Sequence, residues 1–277
     1  MQEAEIRNTI SGFSDYAIET HQLTKRFNSF TAVDRVELNV RRGEIYGFLG
    51  PNGAGKSTTI RMLCTLLTPT SGTARVDGYD VVKQANHVRK MIGLVSEKMI
   101  MYPRLTALEN MMFFGGLYGM DQDILRKKSE ELLDMVKLTP FRDKLVGGFS
   151  SGMRQRVNVI RAILHDPDIL FLDEPTTGLD PQSTRFVRDL VKELKNRGHT
   201  IVLTTHMMDE ADSLCQRIAI MHHGKVAAID TPAALKANVG ENATLEEVFF
   251  HHTGDKIESG ESYRDTARVR RTAKRLG

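Results

Sequence analysis

Four short, mainly apolar runs are the clearest pattern along the chain. They lie near residues 45–49, 92–95, 169–173 and 200–205, and each is followed by polar or small residues. A strand that is buried on both faces of a parallel sheet has this nearly continuous apolar character. We therefore expect an α/β fold whose core is a parallel sheet built from these four runs.

Elsewhere in the chain, apolar residues either alternate with polar residues or recur at the spacing of a helix. From residue 36 to residue 40 apolar and polar residues alternate, which predicts a half-exposed antiparallel strand. Between about residues 99 and 165 the spacing is helical, which predicts a helical subdomain inserted into the core. The segment 218–229 predicts a hairpin. Another helix is predicted by the apolar positions Ile60, Leu63, Cys64 and Leu67.

The distribution of apolar and polar residues also divides the chain into three segments. Residues 1–14 predict a loose polar leader, residues 15–239 the main domain, and residues 240–277 a C-terminal extension with a basic tail. In that tail, arginines at helical spacing would share one face of a helix. They are Arg264, Arg268, Arg271 and Arg275. The tail is either solvated and disordered or a basic surface for anionic lipid headgroups or acidic protein loops.

Candidate chemistry begins directly after the first apolar run. Residues 50–57 match the phosphate-loop pattern GxxxxGK[ST] and lie between a predicted strand and a predicted helix. Glycines let the backbone wrap around phosphate oxygens, and the helix N-terminus adds partial positive charge. We expect Lys56 to neutralise the β- and γ-phosphates and the Ser57 hydroxyl to bind Mg²⁺. The expected nucleotide-binding residues are Gly50, Pro51, Asn52, Gly53, Ala54, Gly55, Lys56, Ser57 and Thr58.

The third apolar run ends in two acidic residues, Asp173 and Glu174. Carboxylates at the end of a buried strand are costly unless positive charge meets them. Ligands of open α/β sheets bind beyond the carboxyl ends of the strands, where the phosphate loop also lies. We therefore expect Asp173 to hold Mg²⁺ through water and Glu174 to polarise the attacking water. Taken alone, the Asp-Glu-Pro sequence could also cap the next element.

Residues 149–156, between these two motifs, predict the start of a helix whose apolar face includes Val157, Ile160 and Leu164. Ser150 is a good N-cap, and Ser151 and Gly152 leave backbone N–H groups free for an anion. Taken alone, this segment is simply a well-capped helix.

Taken together, the motifs resemble those of ATP-binding cassette (ABC) ATPases, in the family's order and over roughly residues 15–239. Residues 149–153 resemble the family's signature, and residues 177–180 resemble its D-loop. His206 matches the switch histidine, and Phe27 matches the aromatic residue that stacks on adenine. The resemblance implies a P-loop NTPase of the ABC cassette type. Such a cassette has a RecA-like parallel sheet core, an antiparallel β subdomain and an inserted helical subdomain.

The resemblance also implies a function. The chain would hydrolyse ATP with Mg²⁺, and Glu174, His206 and Lys56 would be its catalytic residues. Two copies, or this chain and a paralogue, would enclose ATP between the phosphate loop of one chain and the signature side of the other. The expected signature-side residues are Ser150, Ser151, Gly152 and Asp180. A separate integral membrane permease would carry the substrate, so this ATPase would be cytoplasmic and peripheral on the inner face of the cell membrane.

Two segments resemble most the drug-resistance branch of the family, which includes the daunorubicin-resistance ATPases. They are residues 102–106 and 244–249, and the likeness implies export. In such a transporter, the stretch 99–114 either belongs to the helical core or forms part of a groove for a helix of the permease.

Two positions depart from the family's pattern. Glu97 stands where the family has a glutamine, and a carboxylate can bind Mg²⁺ but cannot donate a hydrogen bond as an amide does. Ser151 replaces the first signature glycine, which would crowd the γ-phosphate. Because Glu174 and His206 are present, we still expect an active site. The expected metal ligands are Ser57, Glu97 and Asp173.

Composition and motif spacing argue against several other classes of protein. A formal net charge of +3 on 277 residues gives no global signature of nucleic-acid binding, and no apolar stretch has the length of a membrane span. Cys64 and Cys215 lie in apolar patterns that predict reduced core residues. The two nucleotide motifs are too close in sequence for the long coiled coil of chromosome-maintenance relatives. The guanine motif of GTPases is absent, and the four residues Lys56, Asp173, Glu174 and His206 disfavour a non-catalytic interaction protein.

Overall fold

The structure is a computed structural model that describes residues 15–96 and 101–254. The leader, Glu97 and the arginines of the basic tail lie outside the described residues. The described strands are β1 (Tyr16–Phe27), β2 (Phe30–Arg41), β3 (Ile45–Leu49), β4 (Ser71–Val76), β5 (Tyr79–Asp80), β6 (Ile92–Val95), β7 (Ile169–Asp173), β8 (Thr200–Thr205), β9 (Arg217–His222) and β10 (Lys225–Asp230). The described helices are α1 (Lys56–Leu63), α2 (Ala85–Met91), α3 (Ala107–Leu117), α4 (Gln122–Met135), α5 (Ser151–Ala162), α6 (Pro181–Asn196), α7 (Met208–Leu214), α8 (Pro232–Ala237) and α9 (Leu245–Thr253).

The larger sheet has six strands in the order β10-β9-β3-β8-β7-β6. All neighbouring strands pair in parallel except β9 and β10, which form the predicted hairpin. The four predicted core strands are present as β3, β6, β7 and β8. The sequence pattern did not reveal that β9 also pairs with β3, because a parallel pair joins residues that are far apart along the chain.

The smaller sheet is antiparallel, with the strand order β2-β1-β4-β5. Along β2, Val36, Leu38 and Val40 are buried while Glu37 is exposed, so the predicted alternation is confirmed. One hydrophobic core joins this sheet to α1 and to one face of the larger sheet, where Phe48 of β3 contributes. The smaller sheet thereby covers the phosphate-loop helix.

A second hydrophobic core lies on the opposite face of the larger sheet. Leu49, the neighbour of Phe48 on β3, belongs to it, as successive strand residues point to opposite faces. Met111 of α3, Val157 of α5 and Leu190 of α6 pack in the same core. Helices α3 to α5 lie in the chain between β6 and β7, where the sequence predicts the helical subdomain; the domain bounds themselves stay predictions.

Two helices end earlier than their apolar spacing suggests. α1 ends at Leu63, and Thr65 follows with a left-handed φ of +62°. Leu67 therefore lies beyond the helix, although it still packs against the core of the smaller sheet. In the same way, the buried Leu164 lies beyond the end of α5. Burial alone does not show that residues share one helix.

The two cysteines are free thiols and both are buried, as predicted. Burial raises the pKa of both thiols, which keeps Cys64 and Cys215 protonated and unreactive. Within residues 15–96 and 101–254, no helix combines the length and apolar character needed to cross a membrane.

Candidate active site

Three parallel strands end at one edge of the larger sheet, and each leads directly into the candidate site. β3 leads to Gly50, β7 leads to Glu174 and β8 leads to His206. Backbone bonds join these exits: Gly50 N–H donates to Thr205 O at 3.3 Å, and Glu174 N–H donates to Thr204 O at 3.2 Å. The sheet therefore brings together residues that are remote in sequence.

The phosphate loop connects β3 to α1 in a conformation that requires glycine. Gly55 has a φ of +104°, and a Cβ there would lie 2.6 Å from the carbonyl oxygen of Ala32 in β2. A side chain at this position would therefore be strained and would clash with backbone. Because α1 begins at Lys56, the backbone N–H groups of its first turn lie at the end of the loop.

The side chain of Lys56 is buried within the loop, with 4% of its surface exposed. Its Nζ donates to the carbonyl oxygens of Gly50 at 2.6 Å and Pro51 at 3.1 Å. It also lies 3.2 Å from Glu174 Oε1. A buried ammonium needs such partners, and a phosphate oxygen would offer Lys56 the same negative charge as the carboxylate does.

Glu174 lies between two cationic groups. Its Oε2 is 2.9 Å from His206 Nδ1 and accepts a hydrogen bond from Thr177 Oγ1 at 3.0 Å. Burial acts to raise the pKa of Glu174, but the His206 hydrogen bond and the Lys56 charge together lower it. The hydrogen bond to Glu174 raises the pKa of His206 in spite of partial burial. The cluster therefore favours a carboxylate beside a protonated imidazole.

Asp173 ends β7 with only 5% of its surface exposed. Its Oδ1 accepts from Ser57 Oγ at 2.8 Å and from Thr204 Oγ1 at 2.7 Å. Neutral hydroxyls compensate a buried carboxylate only in part. The oxygens of Ser57 and Asp173 are of the hard type that Mg²⁺ prefers, so this pair fits a magnesium ion that also keeps water and phosphate ligands. In the described part of the chain, no cluster of three or more His, Cys, Asp or Glu side chains could hold a metal by itself.

The predicted adenine-stacking residue lies at the hairpin between β1 and β2. Phe27 pairs with Phe30 there, and their surfaces are 47% and 58% exposed. Lys25 Nζ lies 5.2 Å from the centre of the Phe27 ring. Since β2 also supplies Ala32, which closely approaches Gly55, the hairpin presents an exposed aromatic ring beside the phosphate loop.

The predicted signature residues form a second group at the start of α5. Ser150 is the N-cap, as predicted, and its Oγ accepts from Met153 N–H at 3.2 Å. Gly152 packs against α6, where a Cβ would clash with the Ser183 side chain. Ser183 Oγ in turn donates to Asp180 Oδ2 at 2.6 Å. Ser183, which sequence reasoning missed, thus connects the signature to the predicted D-loop.

The other predicted site residues differ in exposure. Asn52 and Gly53 are exposed at the tip of the loop, and Ala54 is buried. The half-buried ones are Pro51, Ser57, Thr58 and Ser151. Glu97, predicted as a metal ligand, is outside the described residues.

Sequence reasoning also missed the contacts that three polar residues make around Glu174. Thr204 Oγ1 accepts from the Glu174 N–H at 2.9 Å, and Thr177 donates to the Glu174 carboxylate. Gln155 of α5 donates to Pro175 O at 2.7 Å. A hydroxyl at the end of the apolar β8 run was a usable signal for Thr204. Gln155 carries no such signal, because only tertiary packing brings it to this loop.

Comparison with known proteins gives one consistent result. Residues 33–177 match the family model described as ABC transporter. The daunorubicin/doxorubicin resistance ATP-binding protein DrrA of Streptomyces peucetius is 48% identical over 82% of this chain and 68% of its own length. The probable multidrug ABC transporter ATP-binding protein YbhF of Escherichia coli (strain K12) is 39% identical over 92% of this chain. The chain spans 45% of YbhF, which is less than half of that protein.

Comparison with solved structures gives the same family as the sequence comparisons. The structure of an ATP-binding subunit of an ABC transporter superimposes with a TM-score of 0.77 at 29% identity, and the match covers 86% of this chain and 99% of that one. The fold, the order of the motifs and the convergence of the three strand exits on Lys56, Glu174 and His206 lead to the same conclusion. The chain belongs to the ABC transporter family and is one of its ATP-binding ATPases.

Proposed function

We propose that the cluster of Lys56, Glu174 and His206 hydrolyses Mg·ATP to drive export through a separate membrane permease. The observation that carries the proposal is the Glu174 carboxylate, which lies between Lys56 Nζ at 3.2 Å and His206 Nδ1 at 2.9 Å. A carboxylate held ionised beside a phosphate loop can orient a water molecule, or accept its proton, during attack on the γ-phosphorus.

Each residue of the cluster has its own role. Lys56 exchanges its ion pair with Glu174 for contacts with the β- and γ-phosphates of ATP, which frees the carboxylate to face water. His206 contacts the γ-phosphate and so responds to its presence. Ser57 and Asp173 would hold the magnesium ion, which when bound neutralises charge on the phosphates. Phe27 would stack on the adenine ring.

A substitution of the proposed base tests the chemistry. Glu174→Gln removes the carboxylate but keeps the shape, so ATP binding should persist while turnover falls by about 10²- to 10⁴-fold. Phosphate release and equilibrium nucleotide binding measure the two quantities. Glu193→Gln on the exposed side of α6 is the matched control. A Glu174→Gln protein with near-normal turnover would exclude Glu174 as the base.

We further propose that ATP binding joins two chains, as a homodimer or with a paralogue. The signature group supports this, because Ser150 is exposed at the start of α5, where the N–H groups of Ser151 and Gly152 are available to a phosphate of the other chain's ATP. Asp180, the N-cap of α6, is exposed as well. Light scattering of Glu174→Gln with ATP should show a dimer that wild type, which hydrolyses its ATP, does not accumulate. A Glu174→Gln protein that stays monomeric at saturating ATP would contradict the sandwich.

The proposed partner is an integral membrane permease, as for other ABC ATP-binding subunits. The drug-resistance and multidrug names of the relatives favour export as the direction. An apolar cavity of about 490 Å³ next to α3 is lined by Tyr102, Pro103, Arg104, Leu105 and Phe113, and we propose it as the docking groove for a permease helix. Tyr102 and Phe113 are 46% and 40% exposed, with ring centres 4.8 Å apart.

Phe113→Ser tests this docking groove. It should reduce co-purification with the membrane partner and leave the ATPase activity of the isolated chain unchanged. Ile124→Ser, which removes another exposed apolar side chain on α4, is the control. Equal co-purification of the two variants would place the permease contact elsewhere.

A weaker contact is proposed for the basic tail, on the sequence alone. Arg264, Arg268, Arg271 and Arg275 would bind anionic lipid headgroups on the inner face of the cell membrane, at about 1 kcal/mol per basic residue near the surface. Truncation after Gly260 should lower sedimentation with anionic liposomes at low salt without changing ATPase activity. Equal sedimentation of the two proteins would leave the solvated tail as the surviving alternative.

A further inference from the structure

Glu210 is a buried acidic side chain that none of the roles above uses. It lies on α7, the helix that follows His206, and only 1% of its surface is exposed. Its Oε1 accepts a hydrogen bond from Thr176 Oγ1 at 2.7 Å. Thr176 is itself 4% exposed and belongs to the loop that begins at Glu174. A buried carboxylate is costly, so this contact calls for an explanation.

The Thr176–Glu210 bond closes a ring that contains the proposed catalytic pair. One side of the ring is the chain from Glu174 to Thr176, and the other is the chain from His206 to Glu210. The Glu174–His206 contact joins the two sides at one end, and the Thr176–Glu210 bond joins them at the other. The last β7–β8 pair is Asp173 with Thr204, and the Glu174 N–H still donates to Thr204 O, so backbone pairing between the two sides ends at Glu174.

The loop within the ring needs such support. Glu174 has a φ of +51°, which lies in the left-handed region that few residues other than glycine adopt. On the side of the signature helix, Gln155 Nε2 donates to Pro175 O at 2.7 Å. On the side of α7, Glu210 holds Thr176. The loop is therefore fixed from two helices directly after the residue proposed to activate water.

Glu210 also connects this loop to the helix that starts at Asp180. Arg188 of α6 places its Nε 3.8 Å from Glu210 Oε1 and its Nη2 2.7 Å from Asp209 Oδ2. The Glu210 carboxylate thus faces a hydroxyl from the start of the loop and a guanidinium from the helix beyond its end. One buried acid therefore contacts both the loop after Glu174 and α6.

We propose that Glu210 and Thr176 are positioning residues of the ATPase: they set the distance between Glu174 and His206 without touching the substrate. The inference rests on the proposed roles of Glu174 and His206. Rates are sensitive to such placement, since a displacement of about 1 Å can cost on the order of 10²-fold.

The first experiment removes the hydroxyl of Thr176. Thr176→Val keeps the size of the side chain, and we expect kcat to fall roughly tenfold to a hundredfold while KM for ATP changes by less than about twofold. Thr176→Ser keeps the hydroxyl and should restore most of kcat. Glu210→Ala should behave like Thr176→Val, and Glu210→Gln, which keeps an acceptor oxygen, should be milder. Circular dichroism and the melting temperature show whether each variant is folded.

The second experiment separates positioning from general damage. In a Glu174→Gln background, Thr176→Val should cause little further loss of residual turnover, because positioning acts through the carboxylate that is already absent. A loss of equal size in both backgrounds would show that Thr176 acts independently of Glu174 and would overturn the inference. So would a normal kcat for Thr176→Val, or equal loss in Thr176→Ser and Thr176→Val. If Thr176→Val does not fold, the comparison of Glu210→Ala with wild-type Glu210 in both backgrounds decides in the same way.

The experiments distinguish a failure of the proposed role of Glu174 from a failure of the positioning inference. If Glu174→Gln alone keeps normal turnover, the proposed function of Glu174 is wrong. If Glu174→Gln is inactive and Thr176→Val is fully active, only the positioning inference is wrong.

Discussion

The site has a phosphate side, around Lys56, Asp173 and Glu174, and a signature side, around Ser150 and Asp180. Polar groups are mostly buried on the first side and exposed on the second. On the phosphate side, Lys56, Asp173 and most of Glu174 are buried, and their charges contact groups of the same chain. On the signature side, Ser150 and Asp180 are exposed and cap the helices α5 and α6. The difference indicates that the first side is a closed arrangement within one chain, whereas the second is a surface that another chain can approach.

This contrast has an energetic consequence for ATP binding. The Lys56–Glu174 ion pair compensates two buried charges, and breaking it without replacement would be costly. ATP bound as proposed must therefore stabilise the Lys56 ammonium at least as well as Glu174 does. Among the described residues of the signature side there is no comparable pair to break, and in the proposed sandwich its contribution depends on a second chain. The predictions below probe each side separately, beginning with the largest expected effect.

Lys56→Ala should disable the phosphate side alone. Loss of charge-assisted bonds to phosphate should weaken ATP binding by roughly 10- to 100-fold, since each such bond contributes about 1.5–3 kcal/mol. Isothermal titration with a non-hydrolysable ATP analogue measures the change. Lys236→Ala, which breaks a surface ion pair with Asp212, is the control. Equal affinity of Lys56→Ala and the control would mean that the loop does not bind phosphate through this residue.

Gly152→Ala should disable the signature side alone, because its Cβ would meet the Ser183 side chain. We expect the ATP affinity of the monomer to persist while ATP-dependent dimerisation and turnover are lost. Gly148→Ala, where a Cβ meets nothing within 4 Å, is the control. Mixing Gly152→Ala with Lys56→Ala should recover part of the ATPase activity, since one intact phosphate side can then meet one intact signature side. No recovery in the mixture would argue against ATP shared between chains.

The contact between His206 and Glu174 predicts how the stability of the phosphate side depends on pH. The folded-state pKa of His206 is raised above 6.5, so its contribution is complete below pH 6.5 and is lost as pH rises through the raised value. The folded-state pKa of Glu174 is lowered from 4.5, so its contribution is present above pH 4.5 and is lost as pH falls through the lowered value. The difference in melting temperature between wild type and His206→Ala should therefore be largest between pH 4.5 and 6.5. A difference that does not shrink towards pH 9 would show that His206 acts by packing alone.

The smallest expected effect concerns Glu97. If this carboxylate joins Asp173 near the magnesium ion, Glu97→Gln should raise the Mg²⁺ concentration for half-maximal activity by a few-fold, on the order of 1 kcal/mol or less. A metal titration of ATPase activity measures the shift. Glu109→Gln, at the exposed start of α3, controls for loss of a negative charge. An unchanged titration would place Glu97 outside the metal's ligands and leave Asp173 and Ser57 as the protein's contribution.

Local sequence determined the parts of this protein whose conformation depends on neighbouring residues. The phosphate loop needs glycine at position 55 because its φ is positive, and Ser150 caps α5 because its hydroxyl reaches an N–H in the next turn. The buried strands β3, β6, β7 and β8 follow from apolar runs, since a strand covered on both faces leaves few positions for polar residues. These features place Glu174 directly after a strand and Lys56 at the start of a helix without any knowledge of the fold.

Tertiary structure decided what depends on contacts between distant segments. Three contacts join residues that no pattern in the sequence relates to each other. They are the pairing of β9 with β3, the hydrogen bond from Gln155 to Pro175 and the hydrogen bond from Thr176 to Glu210. The ends of α1 and α5 also depended on packing, because Leu67 and Leu164 are partly or fully buried outside the helices that their spacing suggested. Sequence motifs therefore identify the groups that can do chemistry, whereas packing sets the distances between them, because each distance is a compromise among many contacts that no single segment contains.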